Sequence, residues 1–177
     1  YTGDSSEESN QLQTSLNPDN LRIMIASDCH LGYLGNDEER GTDSFAAFEE
    51  VLLAAKQKKV DFVLLAGDLF HESKPSTSCL NKCMLILRKY CMGNEPIHVQ
   101  IVGDQASCFP KDFCWSNFYD SNYNVGLAVY SIHGNHDKPS EHFIQPNQNG
   151  GSGACSLNLL HTAGLVNYFG FTSEVDD

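Results

Sequence analysis

Three apolar runs constrain this chain more than anything else in it: residues 21–26 (LRIMIA), 61–66 (DFVLLA) and 125–132 (VGLAVYSI). Each is strand-length, rich in branched side chains, and breaks off into polar residues of metal-binding type. They read as buried strands. Between the first two, residues 43–58 place Phe45, Phe48, Leu52 and Ala55 at spacings of three and four with charges opposite, which predicts an amphipathic helix capped by Thr42 or Asp43. Residues 76–90 repeat the pattern with Leu80, Met84 and Leu87, after Pro75 and behind a Ser or Thr cap. The order β, α, β, α, β predicts an α/β domain with a largely parallel sheet and right-handed crossovers.

A length of 177 residues suits one domain, placed at residues 20–170. Residues 1–19 are acidic, Ser- and Asn-rich and without periodicity, so they read as a disordered leader, and residues 171–177 as a polar tail. Residues 103–124 crowd aromatics into turn-forming sequence, which predicts a packed functional loop. Residues 139–153 are Gly-, Asn- and Gln-rich and read as a mobile surface loop, while 154–166 return to helical periodicity. Eleven basic against 23 acidic residues, a net charge of −12, exclude a chain-wide basic field, so any nucleic-acid contact must be local. No apolar run approaches the roughly 20 residues of a membrane helix and no signal peptide is present, so the chain reads as soluble and intracellular, with no membrane partner. Seven cysteines without a CxxC pair read as reduced thiols; zinc or a disulfide at Cys79 and Cys83, or at Cys108 and Cys114, is the weaker reading. A start at Tyr1 rather than Met reads as a fragment.

Chemistry gathers at the three strand ends. Ser27-Asp28-Cys29-His30 follows the first run, Gly67-Asp68-Leu69-Phe70-His71 the second, and His133-Gly134-Asn135-His136-Asp137 the third. The carboxyl ends of parallel strands share one edge of a sheet, so these distant residues should meet in one crevice. With period two along an extended segment, Asp28 and His30 point to the same side. Asp68, with two oxygens, can bridge two ions, and Asn135 offers a neutral oxygen. Carboxylate, imidazole and amide together suit Mn²⁺, Mg²⁺, Fe or Zn²⁺. Singly, Asp-x-His recurs by chance and Gly-Asp or Gly-Asn marks a turn. All three in order at strand ends make a site. His98 and His133 read as structural, with His133 near enough to support the site, and neither His142 nor His161 stands where a ligand would.

The series DxH, GDxxx and GNHD resembles the calcineurin-like metallophosphoesterase superfamily. The wording SDCHLGY, DSFAAFEE, DFVLLAGDLFHESKPS, SIHGNHD and LVNYFG is similar to its Mre11-type DNA-repair branch, over residues 21–170. The resemblance implies a sandwich with helices flanking central β-sheets, only its N-terminal part being present. It further implies a nuclease hydrolysing DNA phosphodiesters with two divalent ions, usually Mn²⁺. Asp28 and His30 would then hold the first ion, Asp68 would bridge, Asn135 would serve the second, and His136 would donate the proton. His71 would sit near the scissile phosphate, and Asp137 would orient His136.

The family's three later histidine ligands have no counterpart here. That implies weaker binding of the second ion and an active-site half without full nuclease activity, with a truncated interaction module as the alternative. Partners implied are DNA, a Rad50-type ATPase, an Nbs1-type subunit near the aromatic loop, and a second copy across the two helices, in the nucleus.

Overall fold

Four parallel strands lie side by side in chain order: β1 (Ile23–Ala26), β2 (Phe62–Ala66), β3 (Ala128–Ile132) and β4 (Asn167–Tyr168). The computed structural model describes residues 20–110, 113–139 and 155–169. When each new strand is added on the same side with crossovers of one hand, every connecting helix falls on one face of the sheet. The core lies on that face. Phe45, Phe48, Leu52 and Ala55 of α1 (Asp43–Gln57) pack with Val63, Leu65 and Val129, as the spacing predicts. Helix α2 (Thr77–Cys91) and α3 (Ser156–Thr162) complete the same cluster.

Among the described residues no helix covers the other face, so the strands read as buried are less buried there. Ile23 and Ile25 of β1 are 41% and 63% exposed, and Phe62 and Leu64 of β2 are half-buried. Phe62 and Leu64 border a groove of about 660 Å³ lined also by Phe109, Tyr130 and Phe169. His98, expected to be structural, is exposed along this groove.

Three local features differ from the sequence reading. Helix α2 buries Cys79, Cys83, Leu87 and Cys91, one position round from the Leu80–Met84–Leu87 stripe, because a free thiol packs as a small apolar group. Thr42 precedes α1 without a capping bond, whereas Ser76 Oγ accepts from Cys79 N at 3.1 Å. The third strand begins only at Ala128, since Val125 instead bridges antiparallel to Met92.

The aromatic loop is packed. Asn117 and Asn167 exchange amide hydrogen bonds, and His161 Nε2 lies 2.9 Å from Phe113 O, so His161 is a structural tie. All seven cysteines are free. The leader, nearly all of the 139–153 loop, His142 and the polar tail fall outside the described residues. Among the described residues no helix is long and apolar enough to cross a membrane.

Candidate metal centre

The β1–β2 pairing runs on past both strands into the polar residues. Asp28 N donates to Gly67 O (3.2 Å), His30 N to Asp68 O (3.0 Å), Leu31 N to Leu69 O (2.8 Å), and His71 N back to Leu31 O (3.1 Å). The two donor segments are therefore held in register. Asp28, His30 and Asp68 sit at φ of 54°, 44° and 51°, left-handed conformations that cost about 1–3 kcal/mol each and persist only where surroundings enforce them. The extended geometry expected for Asp28-x-His30 is thus absent. Their side chains meet all the same, with His30 Nε2 3.7 Å from Asp28 Oδ1.

The third segment is pressed onto the second. Gly134 lies so close to Asp68 that a Cβ there would collide with its carboxylate and backbone N, and Gly67 in turn abuts the Gly134 backbone. His136 N donates to Asp68 Oδ1 at 2.8 Å. Asp137, 1% exposed, accepts at Oδ2 from Leu69 N (2.8 Å) and Phe70 N (3.4 Å) and at Oδ1 from Gly134 N (2.7 Å). Its carboxylate clasps the two loops together instead of orienting the His136 ring. That ring is held by the His71 carbonyl, which accepts from Nδ1 at 2.8 Å and leaves Nε2 with the lone pair.

Two donor groups result, and they share His30. Asp28, His30 and Asp68 bring one ligand atom each within 4.8 Å of one another, and so do His30, His71 and His136. Asp28, His30, His71 and His136 border a shallow depression of about 450 Å³ that Tyr33 and Ser44 also line. Tyr33, given no role by its sequence position, packs edge-on to His71 with ring centres 4.9 Å apart. His30 Nδ1 and His71 Nδ1 are buried without a hydrogen-bond partner. Such orphaned nitrogens cost about 1–3 kcal/mol each unless something fills the site. Two carboxylates, one of them buried, beside bare imidazoles fit a divalent cation.

Asn135 is exposed between Gly134 and His136 and is not among the residues that border the depression. His133 is exposed, with Nδ1 2.6 Å from the buried Tyr168 hydroxyl, and ties β4 to the third loop. Burial, then the Asp28 and Asp137 carboxylates, push the Cys29 thiol up to about 11. Among the described residues no cysteine joins either donor group.

Double-strand break repair protein MRE11 of Oryza sativa subsp. indica is 51% identical over 150 residues, which is 85% of this chain and 20% of that protein. The proteins of the same name from Mus musculus and Homo sapiens are each 43% identical, over 89% and 88% of this chain and 21% of their own length. The chain thus spans about one fifth of these relatives. The family model described as calcineurin-like phosphoesterase matches residues 21–174, taking in all three strand-end segments. With that match covering most of its length, the chain belongs to the calcineurin-like phosphoesterase family.

Proposed function

We propose that this chain carries the metal-holding part of a Mn²⁺-dependent nuclease that hydrolyses DNA phosphodiesters with two ions, in double-strand break repair. The observation behind it is the meeting of Asp28, His30 and Asp68 with His71 and His136 at one sheet edge. Asp28 and His30 would hold the first ion, Asp68 would bridge, and Asn135 would serve the second. Bound ions would supply positive charge to a phosphate and lower the pKa of an attacking water. With Nδ1–H committed to the His71 carbonyl, His136 has its bare Nε2 free to take up a proton, and as the imidazolium it would deliver that proton to the departing sugar oxygen. His71, its ring 5.2 Å from that of His136, borders the same phosphate position. The ions would also provide the local positive charge that a chain of net charge −12 lacks.

The relatives' names support the repair setting; the Rad50-type and Nbs1-type partners and a nuclear location follow from the resemblance to the Mre11-type branch. Exposed Leu53 on α1 and Leu85 on α2 offer apolar anchors for a homodimer.

Labelled single- and double-stranded DNA, assayed with and without Mn²⁺, tests the reading. Cleavage should need the metal and fall about 10²–10⁴-fold in His136→Ala while metal binding persists. Turnover that survives His136→Ala, or a preference for phosphomonoesters, would sink it. One second reading has an observation in its favour: Asp68 is already engaged by His136 N, and Asn135 is the only other donor available to the second ion among the residues assigned. An interaction module keeping dimer and partner surfaces would bind one ion or none and cleave nothing.

A further inference from the structure

We propose that His30, His71 and His136 form a three-imidazole site for one borderline divalent ion, Zn²⁺ above all, and that filling it withdraws His30 from the carboxylates. The geometry is already close. Imidazole nitrogens stand about 2.0–2.1 Å from zinc at tetrahedral angles, which places three ring centres about 5 Å apart. Here the ring centres are 5.4 Å apart for His30 and His71, 4.8 Å for His30 and His136, and 5.2 Å for His71 and His136. Their donor atoms lie within 4.8 Å of one another, so modest ring rotations close the site. Two of the three rings keep a buried nitrogen without a partner, His30 Nδ1 and His71 Nδ1. The third has Nδ1 on a backbone carbonyl, the arrangement that typically orients a metal-bound histidine and bares its other nitrogen.

Ion identity then decides which set is used. An all-imidazole site favours Zn²⁺, Cu²⁺ or Ni²⁺ over Mn²⁺, whereas carboxylate oxygens suit Mn²⁺ and Mg²⁺. A neutral imidazole has one lone pair, so His30 serves one set at a time. Zinc among the imidazoles also covers Nε2 of His136. The binding stands by itself; its inhibitory consequence rests on the nuclease reading above.

Calorimetric titration of the whole chain with Zn²⁺ alone, with Co²⁺ as a spectroscopic stand-in, tests the site. Zinc affinity should stay within severalfold in Asp28→Asn/Asp68→Asn and fall by more than about tenfold in His71→Ala. The Co²⁺ spectrum should show tetrahedral bands without thiolate charge transfer. Affinity lost in the Asn pair but kept in His71→Ala, or a thiolate band, would overturn the assignment. Should His71→Ala fail to fold by circular dichroism, ¹⁵N-histidine NMR of the unsubstituted chain decides. Zinc must then move three ring systems, and movement of fewer refutes the site. Added to Mn²⁺-dependent cleavage, Zn²⁺ should inhibit and excess Mn²⁺ should relieve it. Three-ring binding with no cleavage under any condition refutes the nuclease reading and the inhibition while leaving the binding intact; cleavage that ignores bound zinc refutes the inhibition alone.

Discussion

Asp137 is enclosed by amide hydrogens from two loops that lie 67 and 68 residues away from it and three residues away, and its charge is held by backbone dipoles. Replacing it with Asn turns one acceptor oxygen into an NH₂ group facing those N–H groups. An unmet buried donor costs about 1–3 kcal/mol, so Asp137→Asn should lower stability by roughly that amount. Because the same clasp presses Gly134 and His136 onto Asp68, metal affinity should fall with it. Denaturant melts and a Mn²⁺ titration check this; an unchanged midpoint with normal binding would show the clasp to be dispensable. The candidate ligands were legible in the sequence because each strand end announces itself by an abrupt change from branched apolar to Asp, His and Gly. The clasp was not, since its partners across the loops are backbone groups, which carry no residue-type signature. The left-handed turns at Asp28, His30 and Asp68 were equally hidden, for although Asp and His are enriched among non-glycine residues of positive φ, most Asp and His residues do not adopt it.

Helix α2 shows the same limit one level up. The buried stripe of α1 was readable from Phe and Leu, but α2 turns three thiols inward and leaves Leu80 and Met84 at its flank. Burial has a titration consequence. The Cys91 thiol is pushed up to about 12 by burial, opposed only by Lys56, and Cys83 lies well above its usual value for the same main reason. A folded-state pKa above the unfolded value of about 9 gives a contribution fully present below pH 9. It is lost as pH rises toward about 12, because only the unfolded chain sheds the proton there. Melting temperature should therefore drop steeply above pH 9, and the slope should be shallower in Cys91→Ala. Parallel slopes in the two proteins would show that Cys91 does not govern the alkaline transition.

At the scale of the whole molecule, the unreversed strand order leaves one sheet face without helices among the described residues. The sequence could not disclose this, because a strand covered on one side and an all-buried strand read alike when every residue is apolar. Parallel sheets are ordinarily covered on both faces. Charge placed on the open face should then be nearly neutral for stability, so Ile23→Lys with Ile25→Lys should keep the melting midpoint within about 1 kcal/mol. Binding of an apolar dye and concentration-dependent association should both fall. A large loss of stability, or undiminished dye binding, would show that the face is not what the dye and the neighbouring copies meet.

The same strand order bears on how the chain is made. Every strand joins the outer edge of the one before it, so a nascent chain leaving the ribosome can dock each segment as it emerges, without waiting for a later one to slot between. Asp28 is delivered first, Asp68 second and the Gly134–Asp137 turn last. The cradle for a cation should accordingly appear late and all at once in synthesis, when Asp137 clears the exit tunnel and ties the turn to Leu69.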